Sequence, residues 1–250
     1  MKKFNKFFEF FLNKKIINII DLENLYLNVD DKTKVYSFQK KYINQEKILY
    51  DAFGSVNTIL PGKIKIIVIA DTHNSLDEEL LYDFVVQHPD YDLCLLLGDH
   101  SGYDVEKILK YISKEKIYAL LGNHDSNYIE HYDLNNLNGK IVEVNGVKLI
   151  GIEGSFKYKP SSFPSFTQEE SVEFLNNKHS VDILVSHDGP FDSEKEYDPA
   201  HQGLFGITYY LFKKKIKYNI HGHLHKNYQR NLLNGTIEIC KYGINYIELE

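Results

Sequence analysis

Hydrophobic and polar positions form two kinds of block from residue 64 onward. Short, uninterrupted apolar runs rich in β-branched residues are typical of strands covered on both faces. The clearest runs are IKIIVIAD, YDLCLLLGD, IYALLGNHD, VDILVSHD and KYNIHGH. Segments with helical periodicity separate them, among them SLDEELLYDFVVQH, DVEKILKYISK and GLFGITYYLFKKK. This alternation predicts an α/β fold.

Turn and capping signals add detail to this pattern. Asn145-Gly146 lies between two apolar runs and predicts a hairpin with a two-residue turn. The closing stretch LNGTIEICKYGINYIELE predicts a second Asn-Gly hairpin. Thr167 and Glu170 have the spacing of a capping box at the start of a helix. The hairpins indicate a second sheet beside the alternating one.

The first 62 residues have a different pattern. Phenylalanines recur there at helical spacing between lysines, which predicts a basic amphipathic helix over Phe4–Leu12. The stretch LPGK then marks a break, so we divide the chain into an N-terminal extension (1–62) and a main domain (63–250). The helix could pack on the main domain, join two copies into a homo-oligomer, or lie on a membrane surface.

Composition narrows the class of protein. The chain is 43% hydrophobic and 26% charged, as in an ordered globular protein, and its net charge of -6 gives no general attraction for nucleic acid. Cys94 and Cys240 lie in apolar runs, which predicts buried thiols in a reducing compartment. Polar residues interrupt the N-terminal apolar segment, and no run reaches membrane-spanning length, so we expect a cytoplasmic protein. Arg230 is the only arginine.

Potential metal ligands follow all five buried strands. In α/β sheets, the carboxyl ends of the strands line the ligand crevice, so these side chains should converge there. Two aspartates, one asparagine and four histidines are too many for one ion, but they suit two ions that share a carboxylate. The candidate ligands are Asp71, His73, Asp99, Asn123, His187, His223 and His225.

The ligand types limit the choice of metal. Nitrogen ligands disfavour Mg²⁺ and Ca²⁺, and the absence of thiolates disfavours a structural zinc site. We expect two divalent transition-metal ions, and Mn²⁺, Fe, Zn²⁺, Ni²⁺ and Co²⁺ remain as candidates.

The order of these motifs resembles the calcineurin-like metallophosphoesterases, in particular small prokaryotic or phage-type phosphohydrolases. The matching blocks are D-x-H from Asp71, G-D at Gly98-Asp99, G-N-H-D at Gly122–Asp125, the lone His187, and G-H-x-H at Gly222–His225. The resemblance covers residues 63–250. It implies a two-sheet β-sandwich flanked by helices, a four-layer αββα fold, with the N-terminal helical extension outside it.

The resemblance also implies roles for individual residues. One ion would bind Asp71, His73, Asp99 and His225. The other would bind Asp99, Asn123, His187 and His223, with Asp99 bridging the two. His124 would face the substrate as a catalytic group, oriented by Asp125.

One departure and two weaker matches qualify these roles. Some family members carry an aspartate three residues after the bridging one, where this chain has Gly102 and an acid only at Asp104. The ligand set is intact, but the departure argues against a protein phosphatase. Two further segments, GSFKYKPSSFPSFTQEES and DPAHQGL, resemble those of small prokaryotic-type members. They make His201, Lys157 and Tyr158 candidates for substrate contact.

These features predict a two-metal phosphoesterase in which hydroxide attacks phosphorus and His124 stabilises charge or protonates the leaving oxygen. The substrate would be a small phosphoester or nucleotide, with diesters slightly favoured over monoesters. Two alternatives stay open. One is a non-catalytic protein-interaction scaffold of the same fold, although such scaffolds lose catalytic ligands. The other is a nuclease, which the acidic composition does not support.

Overall fold

The computed structural model describes residues 45–159, 163–191 and 199–250, so the helix expected over Phe4–Leu12 lies outside the described residues. The helices are α1 (Gln45–Phe53), α2 (Glu78–Gln87), α3 (Gly102–Tyr111), α4 (Tyr128–His131), α5 (Gln168–Asn176) and α6 (Phe205–Lys214). Short 3-10 turns span Lys114–Lys116 and Pro199–His201.

Thirteen strands are present in the described residues. They are β1 (Ile64–Ala70), β2 (Leu93–Leu96), β3 (Ile117–Ala119), β4 (Asn135–Asn136), β5 (Ile141–Val144), β6 (Val147–Ile152), β7 (Ser155–Phe156), β8 (Ser165–Phe166), β9 (Ile183–Ser186), β10 (Tyr218–His221), β11 (Tyr228–Asn231), β12 (Ile237–Cys240) and β13 (Gly243–Leu249).

Two main sheets contain most of these strands. The first has the order β13-β1-β2-β3-β4, with β1 to β4 parallel and β13 antiparallel to β1. The second has the order β11-β12-β10-β9-β6-β5, with four parallel central strands and antiparallel edges. A short β7-β8 pair forms a third sheet. Because neighbouring strands run parallel, their carboxyl ends meet at one edge of each main sheet.

Three apolar cores separate four layers. One core lies between the two sheets, where Ile66 and Leu95 of the first share a cluster with Leu149 and Val185 of the second. A second core joins the outer face of the first sheet to α2, α3 and α4. A third joins the outer face of the second sheet to α1, α5 and α6. The predicted four-layer αββα arrangement is confirmed.

Helix α1 packs on the second sheet's helical layer. Leu49 is buried in its core, and the Phe53 ring meets the Tyr209 ring edge-on at 5.9 Å between centroids. Beyond the helix, the Val56 amide donates to the Asn234 carbonyl at 2.7 Å. The segment from residue 45 is therefore attached to the main domain, while the division at residue 62 stays a prediction.

Two of the local predictions are confirmed. Val144 pairs with Val147 across the Asn145–Gly146 turn, so β5 and β6 form the expected hairpin. The Thr167 side chain accepts from the Glu170 amide, and the Glu170 side chain accepts from the Thr167 amide, which completes the capping box of α5.

The predicted C-terminal Asn-Gly hairpin is present, but the last strand is not part of it. Asn234-Gly235 lies in the loop between β11 and β12, which pair antiparallel from Asn231↔Ile237 onward. The last strand, β13, crosses to the first sheet and pairs with β1. The apolar pattern identified β12 and β13 as strands, but such a pattern does not specify which strand each will pair with.

Both cysteines are buried and unpaired, as predicted for core thiols. Across the described ranges, no helix combines the length and the apolar character that a membrane crossing requires.

Candidate metal centre

Six of the seven candidate ligands form two clusters at the carboxyl ends of the strands. The first group is Asp71, His73 and His225, and the second group is Asp99, His187 and His223. Within each group the possible ligand atoms all lie within 4.8 Å of one another. The loops after β1, β2, β9 and β10 supply these side chains.

The backbone of these loops is strained. Five candidate ligands have a left-handed φ, between 45° and 66°. This conformation is uncommon outside glycine, costs about 1–3 kcal/mol per residue, and clusters at functional sites. Gly222 allows the loops to approach closely, since a Cβ there would lie 2.7 Å from Asp71 Oδ2. The five left-handed residues are Asp71, His73, Asp99, His223 and His225.

The first group has the spacing of ligands around one ion. His73 Nε2 lies 3.0 Å from His225 Nε2, and Asp71 Oδ1 lies 3.9 Å from the same His225 atom. Two ligands placed 2.1 Å from one ion at a right angle would be about 3.0 Å apart. The two imidazoles could therefore bind the same cation.

One oxygen of the Asp71 carboxylate has no hydrogen-bond donor. Its Oδ2 accepts from the His223 amide at 2.9 Å, whereas Oδ1 is buried and has no hydrogen-bond partner among the described residues. Burial and the nearby Asp99 carboxylate raise the pKa of Asp71 to about 7. A buried carboxylate oxygen without a donor is costly, and a bound cation would remove that cost.

His187 presents one ring nitrogen to the second group. The ring is fully buried, and its Nδ1 lies 2.7 Å from the Leu97 carbonyl, which fixes the proton on Nδ1. The bare Nε2 then faces Asn123 Oδ1 at 3.1 Å. In this tautomer, and with Oδ1 of the Asn123 amide facing the ring, no proton lies between the two atoms, and a cation shared by both would fit the pair.

The candidate ligand atom of His223 is Nδ1, whereas that of His187 is Nε2. Its Nε2 lies 2.8 Å from the Ala200 carbonyl and therefore carries the proton, which leaves Nδ1 as the candidate ligand atom. Burial lowers the pKa of His223, and burial together with the His73 ring lowers that of His225. Both rings are thus held in the neutral form that binds a metal.

Asp99 lies between the two groups. Its Oδ2 is 3.7 Å from His73 Nε2 and 3.7 Å from His187 Nε2, while Oδ1 accepts from the His124 amide at 2.9 Å. Burial alone would raise its pKa, but His187 and the His124 amide outweigh that effect and hold the pKa of Asp99 below its usual value. One ionised oxygen is therefore equidistant from a ligand of each group.

The two groups differ in exposure. The His73 and His225 side chains are 38% and 49% exposed, whereas those of Asp99 and His187 are 2% and 0% exposed. The His124 ring is also exposed and lies 6.0 Å from the His73 ring. The site thus opens above the first group, with His124 beside the opening.

Asp125 has a different role from the one expected. Its Oδ2 accepts from the Asp99 and Gly122 amides at 2.8 and 2.6 Å, and its Oδ1 accepts from the His100 amide at 2.6 Å. These three bonds bind together the loops after β2 and β3. The carboxylate therefore orients the backbone around Asp99 rather than the His124 ring.

The three predicted substrate contacts lie in different places. The His201 ring is 5.0 Å from the His223 ring, next to the second group. Lys157 lines a cavity of about 460 Å³ that none of the seven candidate ligands lines. Tyr158 packs against the core outside the second sheet. Only His201 is close to a candidate ligand.

Sequence reasoning missed Tyr242 and the buried Thr72. The Tyr242 ring stacks on His225 at 4.9 Å between centroids, and no motif signals it. Thr72 lies between two candidate ligands, so its position along the chain was the available signal. Arg230, the chain's only arginine, places Nε 2.6 Å from Glu238 Oε2.

Comparison with known proteins gave one matching family. The sequence model for calcineurin-like phosphoesterase matches residues 64–227. An uncharacterized protein from Haemophilus influenzae is 23% identical over 201 residues, which cover 65% of this chain and 84% of that protein.

Solved structures also resemble the chain. Phosphopantetheinyl hydrolase from Mycobacterium tuberculosis is 11% identical, with 72% of this chain and 90% of that chain covered and a TM-score of 0.53, which shows a shared fold. A dimetal phosphatase from Danio rerio is 11% identical, with coverage of 74% and 92% and a TM-score of 0.49.

Proposed function

The chain belongs to the calcineurin-like phosphoesterase family, and from this premise we propose that it hydrolyses a phosphoester with two divalent metal ions. The position of Asp99 carries the proposal. Its Oδ2 lies at 3.7 Å from a histidine of each ligand group, as expected of a carboxylate shared by two ions.

The donor atoms support a specific assignment. The first ion would bind Asp71, His73 Nε2, His225 Nε2 and Asp99. The second would bind Asp99, Asn123 Oδ1, His187 Nε2 and His223 Nδ1. The unpartnered Asp71 Oδ1 and the facing acceptors of His187 and Asn123 favour cations at these positions. Mixed nitrogen and oxygen ligands without a thiolate suit Mn²⁺, Fe, Zn²⁺, Ni²⁺ or Co²⁺. Among these we propose Mn²⁺ as the first ion to test.

The reaction would be a direct displacement at phosphorus. When bound, the ions would neutralise the phosphoryl oxygens and lower the pKa of water, so that hydroxide is available near neutral pH. The hydroxide oxygen forms the new bond to phosphorus while the bond to the leaving oxygen breaks. His124, exposed beside the opening, donates a proton to that leaving oxygen.

A phosphodiester suits this site better than a monoester. A monoester dianion brings one more negative charge, which a guanidinium often binds in a bidentate manner. The only arginine of the chain instead donates to the buried Glu238 carboxylate. We therefore place linear or cyclic diesters of small alcohols and nucleosides ahead of monoesters.

A protein-interaction scaffold is the weaker alternative. Such a scaffold needs the fold but not the left-handed backbone of the candidate ligand loops. Without a bound ion, the free-energy cost of that backbone strain would not be offset. A nuclease is a special case of the proposed chemistry, and an oligonucleotide among the substrates tests it.

A substrate panel with Mn²⁺ tests the function. Nitrophenyl monoesters and diesters, cyclic nucleotides and a short oligonucleotide would be compared with and without a chelator. We expect metal-dependent hydrolysis that is fastest for a diester. Asp99→Asn should abolish it, while Asp133→Asn should not, since Asp133 has the same left-handed backbone but an exposed side chain paired with Lys114. Hydrolysis that persists in chelator, or none with Mn²⁺, would contradict the proposal.

A further inference from the structure

A buried chain of hydrogen bonds joins the two loops that carry Asp71, His73 and Asp99. Thr72 Oγ1 lies 2.8 Å from Asp104 Oδ2 and 2.9 Å from His100 Nδ1. The hydroxyl has one proton, which goes to the carboxylate, so it must accept the proton of His100 Nδ1. We call this His100–Thr72–Asp104 arrangement the threonine clamp.

The threonine clamp is fixed to a helix. Asp104 is fully buried in the first turn of α3, where the Ser101 hydroxyl caps its amide at 3.1 Å. Its second oxygen, Oδ1, accepts from the Leu76 amide at 3.1 Å. Both oxygens of one carboxylate therefore bind the segment that follows β1. Since Thr72 and His100 are 5% and 3% exposed, water competes little for these bonds.

The clamp lies among residues with strained backbone. Thr72 stands between Asp71 and His73, which have φ of 54° and 45°, and His100 follows Asp99, which has φ of 58°. Such conformations persist only where the surroundings stabilise them. The Asp71 amide donates to the Gly98 carbonyl and the His73 amide to the Asp99 carbonyl, each at 3.0 Å, so backbone bonds join the same two loops on either side of Thr72.

We propose that Thr72 is a positioning residue, whose hydroxyl holds the two loops at the spacing at which Asp71, His73 and Asp99 bind metal. This inference rests on the proposed function, because it requires that the site binds ions. Bonds behind metal ligands commonly contribute 10–100-fold to metal affinity. The effect would reach the ions through ligand geometry, since Thr72 itself is not a candidate ligand.

Matched variants separate positioning from ordinary stabilisation. Thr72→Val removes the hydroxyl and keeps the shape, whereas Thr72→Ser keeps the hydroxyl. Thr236→Val is the control, because it also removes a buried, hydrogen-bonded hydroxyl. Thr236 lies in the loop between β11 and β12, is fully buried, and donates its hydroxyl proton to the Ile216 carbonyl at 2.8 Å. Mn²⁺ affinity of metal-free protein would be measured by calorimetry well below the melting temperature, and melting temperatures would be recorded separately.

We expect Thr72→Val to weaken Mn²⁺ binding by about 10–100-fold, and Thr72→Ser to bind within about threefold of wild type. Thr236→Val should lower the melting temperature and keep wild-type affinity. If Thr72→Val binds Mn²⁺ as wild type does, the positioning role is overturned while the proposed function stands. If wild-type protein binds no Mn²⁺, both are overturned.

A second variant tests the same role if Thr72→Val does not fold. Asp104→Ala removes both carboxylate oxygens, so the bonds from the Thr72 hydroxyl and from the Leu76 amide are both lost. We expect about tenfold weaker Mn²⁺ binding by this variant. Unchanged affinity in folded Asp104→Ala would equally overturn the positioning role.

Discussion

Gly122→Ala should weaken metal binding without removing any ligand. A Cβ at Gly122 would lie 2.5 Å from Asp99 N and 2.7 Å from Asp99 Cγ, and closer still to Asp99 Oδ1. Real Cβ atoms essentially never approach other heavy atoms within 3.0 Å, so the backbone or the Asp99 carboxylate must move. Gly122 does not have a left-handed φ, so the effect comes from the clash alone.

The size of the effect follows from coordination geometry. Relieving the contact moves the carboxylate by about 1 Å, whereas metal–ligand distances vary by only about 0.2 Å. Since Asp99 Oδ2 is 3.7 Å from a ligand of each group, both ions would be affected. We expect at least a 100-fold loss of Mn²⁺ affinity, which equals about 2.8 kcal/mol.

Gly206→Ala provides the matched control. A Cβ there would lie 2.6 Å from Ser171 Oγ and closer to the Ser171 carbonyl, where α6 meets α5, and its φ is also not left-handed. Both variants should lower the melting temperature, but only Gly122→Ala should weaken Mn²⁺ binding in calorimetry. If the two variants bind Mn²⁺ with the same affinity, the shared-carboxylate geometry is wrong.

Three further predictions concern His124, the cysteines and a buried ion pair. His124→Ala should keep two ions per chain by elemental analysis while kcat falls by about 10²–10⁴-fold, with a smaller loss for a nitrophenyl ester, and the loss of an ion would refute its role as a proton donor. Cys94 and Cys240 should both resist a thiol reagent in native protein and react after unfolding, because both are buried and burial raises the pKa of Cys94 well above its usual value. Glu238→Gln should lower the free energy of unfolding by about 3 kcal/mol in urea, because the His221 ring, 3.0 Å from Glu238 Oε1, is fully buried beside it. A loss below about 1 kcal/mol would show that this pair is not stabilising.

Sequence reasoning captured those parts of the fold that depend on local pattern. Uninterrupted β-branched runs identified the central parallel strands, and Asn145-Gly146 identified a hairpin, because each signal lies within a few residues. It failed for the last strand, β13, whose partner β1 is nearly the whole domain away along the chain. Apolar periodicity indicates a strand, but pairing depends on the finished sandwich.

The candidate site shows the same limit. The convergence of the candidate ligands could be predicted, because each of them follows a recognisable strand. The hydrogen-bond partners of Asp125 and Thr72 could not be predicted, because they come from different elements. Asp125 binds amides of the loops after β2 and β3, and Thr72 binds Asp104, an acid that the sequence marked only as a departure from the family pattern.

The rate of diester hydrolysis as a function of Mn²⁺ added to metal-free protein tests the central claim most directly. If two ions act together around Asp99, the rate should rise with added Mn²⁺ and reach a plateau at two ions per chain. A plateau at one ion per chain, or hydrolysis that does not depend on the ion, would contradict the account.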